Sequence, residues 1–158
     1  MPNIRKPSRS ERRGAAVVEF AFVLPIMLSL LVGIWEVGRM IEVQQVLTNA
    51  AREGARQAAT GEYTNSQVKS IVTQYITVAG LPSTNVTVNV SDLTNPGTDV
   101  SKASYLDNLQ VQASIPYKDI GWSFLNFFTT SSTQISTTVQ WVTMIDQAYP
   151  SEPEPPVG

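Results

Sequence analysis

The 158-residue chain contains no cysteine and no histidine. Without cysteine there is no disulfide and no thiolate metal site, and without histidine the commonest zinc ligand and the usual general base are missing. The sequence also lacks a glycine-rich phosphate-binding loop, and it has no basic patch beyond residues 1–14 that would suit nucleic acid. These absences argue against an enzyme, a metal or cofactor site, a small-molecule substrate and a nucleic-acid partner.

What the chain does have is a basic N-terminus followed by a long apolar run. Residues 1–14 carry five lysine or arginine residues against one glutamate, whereas residues 15–35 hold a single charge, Glu19. About 20 helical residues span the roughly 30 Å hydrocarbon core of a bilayer. The run therefore predicts a transmembrane helix over residues 15–35, with the lipid bilayer as its surroundings.

The charges on either side of this run predict its orientation. After Tyr63 the chain carries three lysines against seven acidic residues, so the N-terminus is expected in the cytoplasm and the C-terminal part outside it. A secretory signal peptide is the alternative, but Glu36–Met40 fits the small-x-small pattern of its cleavage site poorly. We therefore expect a retained, single-pass membrane anchor.

Helical periodicity continues beyond the membrane segment, over residues 36–60. Polar residues recur there at alternating spacings of three and four, no proline interrupts them, and Gly61 is the expected stop. The other side is rich in small residues that let another backbone come close, namely Ala50, Ala51, Gly54, Ala55 and Ala58. This stalk is predicted to pack on the protein's own domain, either alone or together with neighbouring subunits.

Pro25 lies inside the apolar run. Proline removes one backbone donor and crowds the preceding turn. A kink or a locally melted stretch is therefore expected near Phe22–Ile26.

Residues 61–149 have the pattern of a small α+β domain. Thr64 or Asn65 can cap a second helix that Gly80 and Pro82 end. Its predicted apolar stripe consists of Val68, Ile71, Val72, Tyr75, Ile76 and Ala79. Alternating apolar residues then predict strands near residues 86–91, 109–115 and 134–144. The predicted fold class is α+β, with a long N-terminal transmembrane and stalk helix, a second helix and a roughly three-stranded antiparallel sheet.

An aromatic segment lies between the last two predicted strands, in a short helix or apolar loop over residues 119–128. It carries Trp122, Phe124, Phe127 and Phe128. These side chains can cap the core, form a partner surface or dip into the outer membrane leaflet.

The tail, residues 150–158, is rich in proline and glutamate and is predicted to be disordered.

Three aspartates occupy the predicted connection between the first two strands. Asp92, Asp99 and Asp107 lack the tight one-three-five spacing of a calcium-binding loop. They are predicted to be solvated loop charges.

Glu19 requires a physical reason. An unpaired carboxylate in hydrocarbon costs about 3 kcal/mol or more, so it must be protonated, reach the interface or find a partner. If a protease cuts after Gly14, the new amine of Ala15 is a cation that Glu19 of the next subunit can neutralise. Such pairing stabilises only the assembled state, in which neighbouring subunits are aligned so that the Ala15 amine meets Glu19.

Three stretches together resemble the TadE-like family, pseudopilins of the bacterial tight adherence (Tad, or Flp) type IV pilus. They are RRGAAVVEFAFVLP at residues 12–25, GIWEVGR at 33–39 and NAAREGAR at 49–56. The resemblance implies cleavage by a prepilin peptidase after Gly14, which makes Glu19 the fifth mature residue. It also implies extraction by an inner-membrane assembly platform, other Tad pilins and pseudopilins as partners, and a pilin-like exported domain.

The resemblance further implies a minor role, in initiating or capping a pilus. Phe20 stands where the major pilins of such systems commonly carry tyrosine, and those pilins lack so large a C-terminal domain. The expected organisation is a cleaved leader (1–14), a transmembrane helix (15–35), a stalk (36–60), an exported domain (61–149) and the tail. The alternative is a signal-anchored extracytoplasmic domain that never polymerises and binds a ligand through its aromatic segment.

Overall fold

The structure is a computed structural model that describes residues 9–121 and 133–145. It contains helices α1 (Arg9–Ala58) and α2 (Asn65–Val78) and strands β1 (Thr87–Asp92), β2 (Asn108–Pro116) and β3 (Gln134–Val142). Short 3-10 turns occupy Val100–Lys102 and Tyr117–Asp119. The chain forms two compact units, Met1–Arg39 and Met40–Gly158. The α+β prediction is confirmed.

Helix α1 is longer at its start than expected. It begins at Arg9 instead of Ala15. It is helical on both sides of Pro25, so the melted stretch is wrong, whereas the kink predicted as the alternative stays a prediction. One missing backbone hydrogen bond is a small loss in a 50-residue helix whose neighbouring turns remain hydrogen-bonded.

The C-terminus of α1 follows the prediction closely. Gly61 adopts a φ of +74° directly after the last turn, a conformation that glycine reaches without strain.

Helix α2 is set by local sequence at both ends. Thr64 Oγ1 accepts from the Gln67 backbone N–H while Gln67 Oε1 accepts from Thr64 N–H at 2.9 Å, which completes a capping box. Gly80, at φ +83°, ends the helix. The buried stripe is narrower than predicted, because Tyr75 and Ala79 are exposed. Alternation along one helix does not specify how wide a face its neighbours cover.

The three strands form one antiparallel sheet in the order β1-β2-β3. Val90 pairs with Val111, and Leu109 pairs with Trp141, so apolar side chains stand opposite one another on the same face. Strand β3 is half-buried at alternate positions, as its sequence predicts. The strand ends near α1, because Met144 N–H donates to Ala59 O at 3.1 Å.

The core of the second unit lies between the C-terminal half of α1, helix α2 and the inner face of the sheet. Val43 and Leu47 of α1 are fully buried in it, as are Val68, Val72 and Ile76 of α2. Gly54 lies at the closest approach of the two helices, because a Cβ at this position would overlap Val72 Cγ2. The missing side chain therefore allows α1 and α2 to pack closely.

The prediction for the loop aspartates is wrong for two of the three. Asp92 is 1% exposed and Asp107 is 5% exposed. Asp92 continues the inward positions of Val88 and Val90, and that alternation was the sequence signal that placed it inside. Asp99 is half-buried, and a backbone N–H donated by Ser101 is the main reason that its pKa lies below the ordinary value.

Two predictions lie outside the described residues. The aromatic residues Trp122, Phe124, Phe127 and Phe128 fall between residues 121 and 133, and the tail at 150–158 follows residue 145.

Candidate functional site

The first unit presents apolar side chains around the whole circumference of α1. Such a helix is stable only in lipid or against other apolar helices. The helix is long and apolar enough to cross a membrane, and its most apolar stretch has no buried residues. The exposed large side chains are Val17, Val18, Phe20, Phe22, Val23, Leu24, Ile26, Met27, Leu28, Leu30, Leu31, Ile34, Trp35 and Val37.

Glu19 is the only charged side chain between Gly14 and Glu36. It is exposed, and no hydrogen bond or ion pair to it is seen within the described part of the chain. Because Ala15 lies four residues earlier in the same helix, the two positions occupy one face. The structure therefore places Gly14, Ala15 and Glu19 within a turn and a half, with Glu19 open to a partner from outside this chain.

Phe20 and Pro25, which we expect to act with Glu19 in assembly, lie close to it in the same helix. Phe20 follows Glu19 and is 57% exposed, so its ring also faces outward. Pro25 lies in the next turns of the helix. Near it, Ser29 Oγ donates to Ile26 O at 2.8 Å.

Sequence reasoning missed a shallow groove further along the apolar segment. It is lined by Ser29, Leu30, Gly33, Ile34 and Val37. A Cβ on Gly33 would meet nothing within 4 Å, so the groove has open space above the glycine. The four-residue spacing of Ser29 and Gly33 is the signal that could have predicted it, because paired small residues lower the surface of a membrane helix.

The predicted packing residues of the stalk lie inside the second unit. Ala50, Ala51, Ala55 and Ala58 are all 0% exposed, and Gly54 is buried with them. Their contacts are with the protein's own helix α2 and sheet. A neighbouring subunit could not reach this face without opening the core.

The opposite face of α1 in this unit is polar and open. A groove there is lined by Ile41, Gln44, Gln45, Thr48, Asn49 and Arg52. Thr48 Oγ1 lies 3.2 Å from Thr137 Oγ1, so this face adjoins strand β3. Arg56, one turn after Arg52, pairs with Glu53 at 2.6 Å, and this hydrogen bond is the main reason that the pKa of Glu53 is lowered.

A comparison with protein families gave a match to the N-terminal part of the chain. A family model described as TadE-like protein matches residues 14–56. The N-terminal segment is TadE-like. The resemblance drawn from the residues is therefore confirmed for this part of the chain. Neither the curated proteins nor the solved structures that were searched gave a match.

The TadE-like segment begins at Gly14, contains Glu19 and ends at Arg56, so it lies entirely within α1. It includes the exposed large apolar residues of the first unit and four of the buried small residues of the second, Ala50, Ala51, Gly54 and Ala55. The family is one of Tad pilus-associated, pilin-like structural proteins and not of enzymes. Together with the apolar helix, the TadE-like segment fits a single-pass membrane protein.

Proposed function

We propose that this protein is a minor pilin or pseudopilin of a Tad-type pilus. A prepilin peptidase cuts after Gly14, and the mature protein supports pilus assembly as an initiating, tip or minor subunit. One observation carries the proposal. Glu19 is the lone charge of the exposed apolar segment between Gly14 and Glu36, four residues after Ala15, in a stretch that matches the TadE-like family.

Cleavage would change the electrostatics of this segment. It removes the five basic residues of the leader and leaves a single positive amine on Ala15 at the edge of an apolar helix. An amine and a carboxylate that are buried separately each carry a large desolvation penalty, and they offset it only when they meet in good geometry. Pairing between the Ala15 amine of one subunit and Glu19 of the next therefore favours the packed filament over isolated subunits.

The partners follow from this arrangement. The apolar first unit contacts the lipid bilayer before assembly and the helices of other Tad pilins and pseudopilins afterwards. An inner-membrane assembly platform moves the subunit between these two surroundings. In the cytoplasmic membrane of the bacterium the N-terminus faces the cytoplasm and residues 61–149 lie outside it. Since the small residues of the stalk are buried, neighbouring subunits contact the second unit through its exposed surfaces, such as the polar face of α1.

The cleavage step is tested by N-terminal sequencing of protein extracted from membranes. We expect the mature chain to begin at Ala15, and we expect Gly14→Ala to accumulate as a slower-migrating precursor. Gly33→Ala is the matched control, because a Cβ at Gly14 or at Gly33 meets nothing within 4 Å and both lie in α1. Mature protein that keeps residues 1–14, or normal processing of Gly14→Ala, would contradict the proposed cleavage.

The pairing step is tested with Glu19→Gln, which keeps the shape of the side chain and removes its charge. Removing one partner of a buried ion pair costs about 3–5 kcal/mol, so we expect at least a roughly tenfold loss of the protein from sheared pili. Cleavage and membrane insertion should stay normal. Glu62→Gln, at an exposed position of the second unit, should incorporate like wild type. Wild-type incorporation of Glu19→Gln would rule out the charge pairing.

A further inference from the structure

The end of the sheet contains an unusual group of buried polar residues. Asp92, Asp107 and Thr143 are 1%, 5% and 1% exposed, although they lie at or next to the ends of strands. Asp107 N–H donates to Thr143 Oγ1 at 2.9 Å, and Thr143 N–H donates to Asp107 O at 2.9 Å. The two carboxylates are therefore enclosed by the polypeptide and are not exposed to solvent.

One oxygen of this group has no partner. Asp92 Oδ1 accepts from the backbone N–H groups of Thr94 and Asn95, at 2.8 and 2.9 Å. Asp92 Oδ2 is buried and has no hydrogen-bond partner among the described residues. A buried, ionised carboxylate whose second oxygen is unsatisfied is costly unless a proton or a cation occupies that oxygen.

The second carboxylate lies nearby on the same side of the sheet. Asp92 stands opposite Leu109 in the strand register, and Asp107 comes two residues before Leu109. Diagonal neighbours of this kind are about 7–8 Å apart at their backbones, which two aspartate side chains can bridge around one ion. Asn95 joins them, because its backbone N–H bonds Asp92 Oδ1 and its Nδ2 donates to Asp107 Oδ2 at 3.0 Å.

The donors to the two carboxylates are all uncharged. Asp107 Oδ2 accepts from Ser104 N–H at 2.6 Å and from Asn95 Nδ2. The ion pair Arg56–Glu53 involves neither aspartate. Two buried carboxylates thus share one enclosed group whose hydrogen-bond donors are neutral, so a bound cation would stabilise the group strongly.

We propose that Asp92 and Asp107 bind a hard divalent cation, and that Ca²⁺ is the ion that suits the site. The available ligands are oxygens, with the unpaired Asp92 Oδ2 first and the Asp107 carboxylate second. The chain has no cysteine or histidine to offer a softer metal. Among the described residues no site gathers three carboxylates, so water and backbone carbonyls complete the coordination, as is common for Ca²⁺.

The cation would tie together three parts of the second unit. Asp92 ends β1, Asp107 precedes β2, and Thr143 follows β3. Binding therefore closes the connection between β1 and β2 onto the end of β3. The sequence spacing of the aspartates gave no sign of this, because the ligands come together through strand pairing and not through a continuous loop.

The experiment is thermal unfolding of the full chain in detergent, followed by circular dichroism, in EGTA and then with added CaCl₂. We expect Ca²⁺ at roughly ten times its dissociation constant to raise the Tm by about 5–10 °C. MgCl₂ should raise it less, because Mg²⁺ demands stricter geometry and gives up its water reluctantly. Isothermal titration with CaCl₂ should give one site per chain.

Asp92→Asn distinguishes cation binding by the Asp92 carboxylate from a purely structural role of this side chain. In EGTA the variant should unfold at a higher temperature than wild type, since a buried charge is gone, and it should not respond to CaCl₂. Asp107→Asn should weaken Ca²⁺ binding at least roughly tenfold, because it removes the second carboxylate ligand. Asp119→Asn is the control, because Asp119 lies outside the cluster and bonds Asn85 Nδ2 at 2.9 Å. This variant should respond to Ca²⁺ like wild type.

Three outcomes would overturn the site. They are a wild-type Tm that does not change with CaCl₂, an equal response in Asp92→Asn, and stabilisation by acid alone, which would assign a proton to Asp92. None of these measurements depends on pilus assembly or on cleavage after Gly14, so the cation site and the proposed function stand or fall separately.

Discussion

Replacing Leu47 with alanine is expected to lower the free energy of unfolding of the second unit by about 3–4 kcal/mol, because it leaves a cavity in a packed core. Leu47 is 0% exposed and belongs to the buried face of α1, against which α2 and the sheet pack. Removing its side chain removes buried apolar surface that the neighbouring side chains cannot replace. Thermal or chemical unfolding of the full chain in detergent measures the loss.

Leu30→Ala is the matched control for this prediction. It deletes the same atoms from the same helix, but Leu30 lies in the first unit and is 64% exposed. Its replacement should leave the unfolding of the second unit within about 0.5 kcal/mol of wild type. If both variants unfolded alike, or if Leu47→Ala were as stable as wild type, the C-terminal half of α1 would not be part of the core.

Gly54→Ala is expected to destabilise the second unit by about 1–3 kcal/mol, even though alanine is the better helix former. The new methyl group would overlap Val72 Cγ2, and both Val72 and its neighbour Val68 are fully buried, so neither can move into solvent. Overpacking of a close helix contact outweighs the gain in helix propensity of about 1 kcal/mol. The measurement is again unfolding of the full chain in detergent.

Gly38→Ala separates the overlap from helix propensity. Gly38 also lies inside α1, but a Cβ there meets nothing within 4 Å, so alanine should not lower stability. A second variant, Gly54→Ala with Val72→Ala, removes the methyl group that is overlapped. We expect its loss of stability to be smaller than the sum of the two single losses. Additive losses, or a stable Gly54→Ala, would show that α1 and α2 do not meet at Gly54.

The candidate site could be read from sequence because it is local. The basic leader, Gly14, the lone acid Glu19 and the apolar run that follows are all neighbours in the chain, and the family match covers this stretch from Gly14 onward. In a continuous helix, spacing along the sequence sets which residues share a face, so Ala15 and Glu19 could be placed together without any tertiary information. The groove at Ser29 and Gly33 could have been predicted in the same way, from the four-residue spacing of two small residues, but it was missed.

The buried aspartates show that spacing along the sequence does not predict contacts that strand pairing creates. The spacing of Asp92, Asp99 and Asp107 predicted solvated charges, whereas strand pairing brings two of them inside. Alternation from Val88 and Val90 indicated the burial of Asp92, but only the register of β1 with β2 shows that Asp107 lies diagonally opposite it. Contacts between residues fifteen positions apart depend on pairing that neither strand specifies alone.

The sequence by itself determined the helices, the capping of α2 by Thr64 and Gln67, the apolar segment and the position of Glu19, because each depends on residues within a few positions of one another. Only the tertiary structure decided which face of the stalk is buried, how closely Gly54 lets the helices approach and that Asp92 and Asp107 share one enclosed cluster. Small residues suit contact with any close neighbour, so their pattern is the same whether that neighbour is another subunit or the protein's own domain. The choice between them depends on where the rest of the chain packs.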